Sequence, residues 1–475
     1  MLYLVHFISL LAYAISLPTA NDDIKSKYLI TSLPGFKYIP TSEIPIMYSG
    51  QILINKTSNT NYFFWKVENK ESSNNHLTFW FNGGPGCSSM EGALMENGPF
   101  KVKSDSSGVY PNDGSWHKVS NMVYVDQPGG VGLSTTDKYY SDLNQVRDYF
   151  LKFLQSYFEI FPEDSTKDIY LAGESYAGQY IPYIADGVMK SEFSHKLKGL
   201  LIGNGSVSPI QQSLSFLPLY IKLGLFSKDS YGYDIVREKH DKCEKIVEKI
   251  DETFNDGLMN EYETNRTYCS SMLSDLKNFT LNLTAPEGQQ CVDIYNYKLR
   301  DSYPSCGSNI PTDKAKVYKF LNDEKVQTLL HVEHKSEWVT CNANVSDHFN
   351  NLVVLPAVHL LPNLIENLNV ILFSGGNDIV CNTKGALLYL NKLEWNGSKG
   401  FTKSREDYVF DDEVVGWILE DRGLKFFEIF DASHMVPWDK PIVSRNLLEE
   451  LIKDSENKNV LSNDKGQNVF KVNVL

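Results

Sequence analysis

Three residues with the chemistry of a nucleophile, an acid and a base each follow a short apolar run of this chain. Ser175 lies in "LAGESYAGQY", Asp378 follows "NVILF" within "SGGNDIVCN", and His434 follows "FFEIF" within "DASHMVP". A serine hydroxyl becomes a good nucleophile when a histidine accepts its proton and a carboxylate orients that histidine. The three residues therefore predict nucleophilic attack on a carbonyl carbon, with Ser175 as the attacking group.

The chain also offers donors for the oxyanion that such an attack creates. The glycine loop "NGGPGCSS" at 82–89 follows an early apolar run, and its backbone N–H groups, that of Gly84 among them, are expected to face the reacting carbonyl. The N–H of Tyr176, next to the nucleophile, completes the predicted oxyanion hole. A phosphate-binding loop is disfavoured because no Lys-Ser/Thr pair follows the glycines. Glu174 is unexpected beside Ser175, since an ionised carboxylate there opposes the charge of the oxyanion.

Short apolar runs that end abruptly in Gly, Asp or Asn indicate the fold class. Runs this short, rich in β-branched and aromatic residues, are typical of buried strands. Stretches with helical spacing lie between several of them, such as 143–161, which stops at Pro162. Strands that alternate with helices predict an α/β fold with a mostly parallel sheet, and Ser, Asp, His is the chain order of α/β-hydrolases. Sites in such sheets form at the carboxyl ends of strands. The six runs are 77–81, 122–125, 169–172, 200–202, 370–373 and 426–430.

The chain divides into a leader, two parts of one core and an insertion. Residues 1–20 have an apolar run and small residues before the polar "NDD", which is typical of a secretory signal peptide; a membrane anchor is the alternative. The core is predicted at 21–207 and 336–475, and the polar, cysteine-rich segment 208–335 is predicted to be a helical, disulfide-stapled insertion. After the leader no run of about 18 uninterrupted apolar residues occurs. The mature protein is therefore expected in the lumen of the secretory pathway, in the trans-Golgi or the vacuole, or outside the cell.

Seven cysteines and seven Asn-x-Ser/Thr sequons support that compartment. The odd number of cysteines predicts three disulfides and one free thiol, and the absence of a CxxC pair disfavours zinc, so no metal is expected. Asn204, at a strand end in "GNGS", is predicted to be buried and to carry no glycan. Glycans are expected on the asparagines of the other sequons, which are Asn55, Asn265, Asn278, Asn282, Asn344 and Asn396.

Composition excludes one class of partner. The 475 residues are 42% hydrophobic, which is ample for a large core. A balance of 45 basic and 59 acidic residues gives a net charge of -14, and no basic cluster follows a nucleic-acid-binding pattern. Nucleic acid is therefore not an expected partner. The oligomeric state is left open by the sequence.

Five motifs together resemble the serine carboxypeptidase family, from about residue 30 to the end of the chain. They are "FNGGPGCSS", "DQPGGVGLS", "GESYAGQYIP", "DIVCN" and "HMVPWDKP". Further stretches, such as "DIYNYKLRDSYPSCG", are similar to the fungal branch of carboxypeptidase D type that trims pheromone and prohormone precursors. The resemblance implies a serine-type carboxypeptidase without a cofactor, whose partners are the C-termini of peptides and proteins. The branch removes terminal Lys and Arg.

The resemblance also gives Glu174 a role. It implies that Asn82, the backbone of Gly83, Glu96 and Glu174 form a clamp for the free carboxylate of the substrate. Two carboxyl groups that share a site with a third cannot all ionise cheaply, so at least one is expected to stay protonated at acidic pH and to donate a hydrogen bond. Activity is therefore expected to be favoured at mildly acidic pH.

The same resemblance implies a pocket for the leaving residue, lined by Glu91, Met95, Tyr295 and Met435. Glu91 is the informative position, because an acid there pairs with a substrate Lys or Arg. The alternative interpretation is an exposed helix glutamate without a role in substrate binding.

Cysteine roles are implied in the same way. Cys87 is expected to bridge to Cys341, and nested pairs are favoured in the insertion, Cys243 with Cys306 and Cys269 with Cys291, although the residues alone leave connectivity open. Cys381 then remains as a free thiol near the triad aspartate.

Two departures from the family pattern concern the aspartate loop and the C-terminus. The family often has a second Asp two residues before the triad Asp, and this chain has Gly376 there. The chain also ends at "KGQNVFKVNVL" without the acidic tail and membrane span of the processing branch. It is expected to be either a soluble relative or a lumenal portion.

Three other functions remain as alternatives. An esterase or acyltransferase of the same fold gives the carboxylate clamp nothing to bind. A vacuolar carboxypeptidase of broad hydrophobic preference has no use for an acid at Glu91. A secreted binding protein without activity does not require the triad and glycine loop.

Overall fold

The structure is a computed structural model in which 24–71, 74–252, 259–284, 288–349 and 355–469 are described. The predicted signal peptide at 1–20 lies outside the described residues.

The strands occur in three groups along the chain. The first is β1 (Met47–Asn55), β2 (Thr60–Val67), β3 (His76–Phe81), β4 (Phe100–Val102), β5 (Val109–Pro111), β6 (Asn121–Val125), β7 (Asp168–Glu174) and β8 (Leu197–Gly203). The second is the short hairpin β9 (Gln290–Val292) and β10 (Arg300–Ser302). The third is β11 (Asn369–Gly375), β12 (Glu394–Trp395), β13 (Ser398–Lys399), β14 (Glu406–Phe410), β15 (Glu413–Asp421) and β16 (Leu424–Ile429).

The α-helices lie between and after these strands. They are α1 (Leu143–Ile160), α2 (Ala177–Met189), α3 (Pro209–Ser213), α4 (Phe216–Lys222), α5 (Tyr233–Glu252), α6 (Met259–Phe279), α7 (Asp313–Leu321), α8 (Glu324–Leu329), α9 (Ala343–Phe349), α10 (Leu361–Asn367), α11 (Thr383–Leu390), α12 (Val436–Asp439) and α13 (Pro441–Val469). A π-helical segment occupies Gly92–Glu96. Short 3-10 turns lie at Phe36–Tyr38, Thr41–Glu43, Trp116–Lys118, Pro162–Thr166, Ser194–Lys196 and Ala357–Leu360.

One ten-stranded sheet organises the molecule, in the order β1-β2-β6-β3-β7-β8-β11-β16-β15-β14. The strands from β6 to β16 in that order are parallel, and antiparallel strands close both edges. Parallel pairing places the carboxyl ends of β3, β7, β8, β11 and β16 along one edge of the sheet. The predicted α/β-hydrolase architecture is confirmed, with every predicted apolar run overlapping a strand of this sheet.

Side chains of the central strands alternate between two apolar layers. In β3, Leu77 and Phe79 pack in the layer with α1 and α2, whereas Trp80 packs in the opposite layer with α13. This alternation follows from the two-residue period of a strand, and burial on both faces explains why these strands are apolar throughout.

Helix α1 shows how the sequence sets the bounds of an element. The Asp142 side chain accepts hydrogen bonds from the N–H groups of Asn144 and Gln145, which caps the first turn. Buried residues recur at helical spacing along one face, and the helix ends at Ile160, before Pro162. The predicted helix at 143–161 therefore ends one residue earlier than expected.

The predicted insertion at 208–335 contains helices α3 to α8 and the β9–β10 hairpin. Its apolar cluster joins α3, α4, α5 and α6, and it also contains Ile379, which belongs to the loop after β11. The insertion thus packs on the loop that carries Asp378. Its status as a separate subdomain stays a prediction.

The disulfides differ from the expected pairing inside the insertion. Cys87 bonds to Cys341 as the resemblance implied, but Cys243 bonds to Cys269 and Cys291 to Cys306. The nested pairs Cys243–Cys306 and Cys269–Cys291 are therefore wrong. The physical reason is local packing. Helices α5 and α6 contact each other with Cys243 and Cys269 in their shared apolar seam. Cys291 lies in β9, and the turn after β10 brings Cys306 back to it, with the two Cα atoms 5.4 Å apart.

In the part of the chain that the structure describes, none of the helices has the length and apolar character needed to cross a membrane.

Candidate active site

Ser175 lies on a sharp turn between β7 and α2. The strand ends at Glu174, the helix begins at Ala177, and Ser175 has a φ of 61°, in the left-handed region. Its N–H donates to the carbonyl of Gly203 at 3.0 Å, and its carbonyl accepts from the N–H of Ser206 at 2.9 Å. The end of β8 therefore fixes this conformation, which is typical of a nucleophile elbow.

His434 and Asp378 form a buried pair at the same sheet edge. Nδ1 of His434 lies 2.7 Å from Oδ2 of Asp378, and the two residues are 5% and 1% exposed. With Asp378 accepting the Nδ1 proton, Nε2 is the ring nitrogen available for proton transfer. His434 lines the same cleft as Ser175, so the three residues predicted from their chain order come together at one site.

Asn204 supports the aspartate, and sequence reasoning treated it only as a buried sequon. Its Nδ2 donates to Oδ2 of Asp378 at 2.7 Å, and its Oδ1 accepts from the N–H of Gly375 at 3.1 Å. It is fully buried, as predicted. Asp378 also accepts from the N–H groups of Val380 and Cys381 at 2.8 and 3.2 Å. These three donors support the loop of Asp378 in a chain that has Gly376 where the family often has a second Asp. The signal that identifies Asn204 is its place directly after β8, between the strands that carry Ser175 and Asp378.

The glycine loop lies directly against the nucleophile turn. A Cβ atom on Gly83 would lie 2.3 Å from the N atom of Tyr176 and 2.8 Å from Cβ of Ser175, so no larger residue fits there. Gly84, which has a φ of 107°, lines the cleft with Ser175. The N–H of Cys87 donates to the Gly83 carbonyl at 3.1 Å, and the Cys87–Cys341 disulfide anchors the loop.

The predicted clamp residues form a connected buried group. Nδ2 of Asn82 donates to Oε1 of Glu174 at 2.9 Å and to Oε1 of Glu96 at 3.4 Å. Oδ1 of Asn82 accepts from Trp80 Nε1 and from the N–H of Gly92, which fixes the amide so that its NH₂ group faces the two carboxyl groups. Asn82 and Glu174 line the cleft, whereas Glu96 lies fully buried behind them.

Burial makes these two carboxyl groups hard to ionise. It raises the pKa of Glu174 well above the ordinary value, and the neighbouring Glu96 raises it further. Burial also raises the pKa of Glu96. Their second oxygens, Oε2 in both residues, accept no hydrogen bond from the described residues. A pair of adjacent buried carboxyl groups holds at least one proton, and that proton makes one of them a hydrogen-bond donor.

Glu91 is buried, so the alternative of an exposed glutamate is wrong. It is 4% exposed, it lines the cleft, and its Oε1 accepts no hydrogen bond from the described residues. Burial raises its pKa to about 8, against the opposing charge of Lys314. Tyr295 and Met435 also line the cleft. Met95 does not: it is 1% exposed and packs in the apolar layer that contains α13.

A segment of the insertion, 293–297, connects the two loops that carry His434 and Asp378. The Tyr295 carbonyl accepts from the N–H of His434 at 2.9 Å, and the two rings are 5.1 Å apart. The carbonyl of Ile294 accepts from the N–H of Ile379, and the N–H of Tyr297 donates to the loop carbonyl at 377. The insertion therefore forms one wall of the cleft and also positions the triad loops.

Cys381 and the predicted glycosylation sites lie in contrasting environments. The Cys381 thiol is free and buried, and burial raises its pKa well above the ordinary value. Among the sequons, Asn278, Asn282, Asn344 and Asn396 are exposed, whereas Asn55 and Asn265 are partly exposed.

Among the residues that the structure describes, two groups of side chains have metal-like spacing, and neither fits a metal ion well. The first contains Cys87 and Cys341, whose sulfur atoms are joined in a disulfide, together with Glu91. The second, on α5, is His240, Asp241 and Glu244, which lie at the surface. Neither group includes a residue of the triad.

A Ser-His-Asp arrangement at the carboxyl ends of parallel strands, with a glycine loop beside the serine, defines an α/β-hydrolase site. A family profile described as serine carboxypeptidase matches residues 34–454. The chain belongs to the serine carboxypeptidase family.

Named relatives agree with that assignment. The chain is 45% identical to the pheromone-processing carboxypeptidase KEX1 of Candida albicans over 461 residues, which covers 94% of this chain and 66% of that protein. It is 44% identical to the protein of the same name from Candida dubliniensis, covering 96% and 69%. The chain thus spans about two thirds of the length of these relatives. The crystal structure of a prohormone-processing carboxypeptidase from Saccharomyces cerevisiae matches with a TM-score of 0.84 and 36% identity, covering 92% of this chain and 97% of that one.

Proposed function

We propose that this protein is a serine-type carboxypeptidase that removes C-terminal residues, preferentially Lys and Arg, from peptides and prohormone-like precursors. The observation that carries the proposal is the buried carboxyl pair of Glu96 and Glu174, which Asn82 holds beside Ser175. A hydrolase that acts on esters or internal peptide bonds has no need for a protonated carboxyl group next to its nucleophile. An exopeptidase does, because its substrate brings a third carboxylate into the site.

The first half of the reaction forms an acyl-enzyme. Ser175 Oγ attacks the last peptide carbonyl while Nε2 of His434 takes the hydroxyl proton, and Asp378 stabilises the resulting imidazolium. The oxyanion accepts hydrogen bonds from the backbone N–H groups of Gly84 and Tyr176. His434 then gives its proton to the leaving amine, the C–N bond breaks, and the terminal amino acid departs.

The second half restores the enzyme. A water molecule gives its proton to His434 and attacks the acyl carbon. The bond to Ser175 Oγ breaks, His434 returns the proton to the serine, and the shortened peptide leaves with a new carboxylate. That carboxylate is the group that the clamp recognises in the next round, which accounts for stepwise trimming.

The clamp binds the terminal carboxylate of the substrate while the pair of Glu96 and Glu174 holds a proton. The NH₂ group of Asn82, the backbone of Gly83 and the proton shared by Glu96 and Glu174 are the donors. As pH rises and this proton is lost, the clamp becomes a pair of anions that repel the substrate carboxylate. Substrate affinity is therefore expected to be highest at mildly acidic pH.

The preference for basic residues rests on Glu91. It is a buried acid in the cleft whose Oε1 accepts no hydrogen bond from any residue that the structure describes, which suits a substrate ammonium or guanidinium group. The names of the similar proteins, pheromone-processing and prohormone-processing carboxypeptidases, point in the same direction.

A lumenal location in the secretory pathway fits the covalent chemistry of the chain. Three disulfides require an oxidising compartment, and several sequons lie exposed on the surface.

One experiment separates this function from its alternatives. The protein is incubated at mildly acidic pH with a peptide ending in Lys-Arg, a peptide ending in Leu and a simple ester, and products are followed by mass. Successive loss of Arg and Lys, faster than loss of Leu, is the expected result. Faster loss of Leu indicates a broad hydrophobic preference, ester cleavage alone indicates an esterase or acyltransferase, and unchanged substrates indicate a protein without this activity.

A further inference from the structure

The cleft contains a second buried acid to which the mechanism assigns no role. Asp293 is 1% exposed and lines the cleft with Ser175 and Glu91. Its Oδ1 accepts hydrogen bonds from the N–H groups of Tyr295 at 2.8 Å and Asn296 at 3.3 Å. Its Oδ2 is buried and accepts none from the described residues. A buried carboxylate oxygen without a donor is costly, so this atom calls for a partner from outside the chain.

Lys314 lines the same cleft and does not supply that partner. Its Nζ lies 3.5 Å from the carbonyl of Ser308 and 5.7 Å from the centre of the Tyr295 ring. In the described part of the chain, no ion pair joins Lys314 to Glu91 or to Asp293. Because its side chain is long and rotatable, Lys314 can shift when a substrate cation enters the cleft.

We propose that Asp293 is a second specificity-determining acid of the leaving-residue pocket, which acts together with Glu91 on the cation of a substrate Lys or Arg. This inference rests on the proposed function and adds a second acidic residue to its leaving-residue pocket. Asp293 is held beside the triad because it begins the turn that contains Tyr295. The carbonyl of Tyr295 accepts a hydrogen bond from the N–H of His434, which fixes this turn. The interaction involves no bond that forms or breaks, so Asp293 affects binding of the leaving residue and leaves the acyl transfer itself unaltered.

Two buried acids suit a basic side chain better than one. A guanidinium group has donors on two edges and bonds two carboxylates at once, and an ammonium group has three donors. A Leu side chain offers neither charge nor donors, so binding it leaves both acids unpaired. The pocket therefore discriminates by an attraction to basic residues and by a penalty against apolar ones.

The test measures kcat and KM on matched peptides ending in Lys, Arg or Leu at one mildly acidic pH. Asp293→Asn removes the charge and keeps an oxygen that can accept hydrogen bonds from the N–H groups of Tyr295 and Asn296. Asp293→Ser also removes the charge and keeps an acceptor oxygen, on a smaller side chain. Asp105→Asn, on an exposed loop outside the cleft, removes one charge from the surface as the matched control. The expected result is a fall of about tenfold to a hundredfold in the Lys-over-Leu and Arg-over-Leu ratios of kcat/KM, mainly through KM, in Asp293→Asn and not in Asp105→Asn.

The outcomes separate this inference from the function on which it rests. If the wild type prefers basic residues and the ratio survives in Asp293→Asn, the assignment of Asp293 is wrong and the proposed function stands. If the wild type shows no basic preference, that part of the proposed function fails. Equal losses on all three peptides, in both Asp293 variants, would show that the residue only supports the turn. With Glu91→Gln added, the effects on the ratio should fall short of the sum of the single effects, because both acids contact one cation.

Discussion

The preference for basic leaving residues should increase with pH even while activity declines. Glu91 binds a substrate cation well only when it is ionised, and burial raises its pKa to about 8. A raised pKa means that the group is protonated below that pH, so the basic preference is weakest under acidic conditions. The terminal carboxylate clamp acts on every peptide alike and cancels from the ratio of kcat/KM for a Lys-ended and a Leu-ended substrate.

The size of the change in the Lys-over-Leu ratio depends on how far the assay pH lies below the pKa of Glu91. At about pH 5 the carboxyl group is three units below it, and each unit is 1.36 kcal/mol, so ionising Glu91 costs about 4 kcal/mol. The Lys-over-Leu ratio should therefore rise by as much as tenfold per pH unit and level off near pH 8. The substrate lysine does not contribute, since its own pKa of about 10.4 lies above this range.

A competition assay measures this ratio directly. Lys-ended and Leu-ended peptides are mixed in one tube at each pH, and their disappearance is followed by mass spectrometry, so any loss of enzyme affects both equally. Glu91→Gln cannot ionise, so its ratio should be lower and should vary less with pH than that of the wild type, and the remaining variation is expected from Asp293. A wild-type ratio that stays flat or falls between about pH 5 and pH 8 would refute the role given to Glu91.

Three further substitutions test other parts of the site. Glu174→Gln keeps a hydrogen-bond donor at all pH values, so its kcat/KM should decline much less with rising pH than that of the wild type. The variant should also be more stable than the wild type at neutral pH in thermal unfolding. Burial raises the pKa of Glu174, so the folded wild type loses stability as pH rises above the ordinary pKa of a glutamate. Asn204→Ala removes a 2.7 Å hydrogen bond to the Asp378 carboxylate and should lower kcat by about tenfold to a hundredfold at nearly constant KM; an unchanged kcat contradicts the supporting role. Gly83→Ala places a Cβ against the Tyr176 N–H and should reduce kcat by at least a hundredfold in a protein with a normal circular dichroism spectrum, and retained activity would show that this N–H is not needed.

The fold and the meeting of Ser175, Asp378 and His434 at one edge of the sheet could be predicted because the relevant signal is local. An apolar run followed by a polar residue marks the carboxyl end of a parallel strand, and Ser175, Asp378 and His434 each follow such a run. The disulfides of the insertion could not be predicted, because the partner of Cys243 depends on how α5 packs against α6. Met95 illustrates a similar limit: the family resemblance implied that it lines the pocket, but the π-helical segment packs it into the apolar layer.

Asp293 and Asn204 were missed for a different reason. Each has a plain local explanation, a turn for the first and a sequon for the second. The position of Asp293 depends on backbone hydrogen bonds between the segment 293–297 and the loop that carries Asp378, such as that from the N–H of Ile379 to the Ile294 carbonyl. The role of Asn204 depends on its hydrogen bond to Asp378, 174 positions away in the chain. Contacts between residues so far apart in the chain become visible only when the order of the strands in the sheet is known.

The buried Asn204 also constrains how the protein must be made. Its Nδ2, the atom to which an oligosaccharide is attached in a sequon, is the atom that donates to Asp378. A chain that received a sugar at this position during synthesis could not close the site around a fully buried side chain. In a cell that transfers oligosaccharides to sequons, β8 would have to pair with β11 before a sugar reached this nitrogen atom, and a chain modified at Asn204 is expected to be inactive.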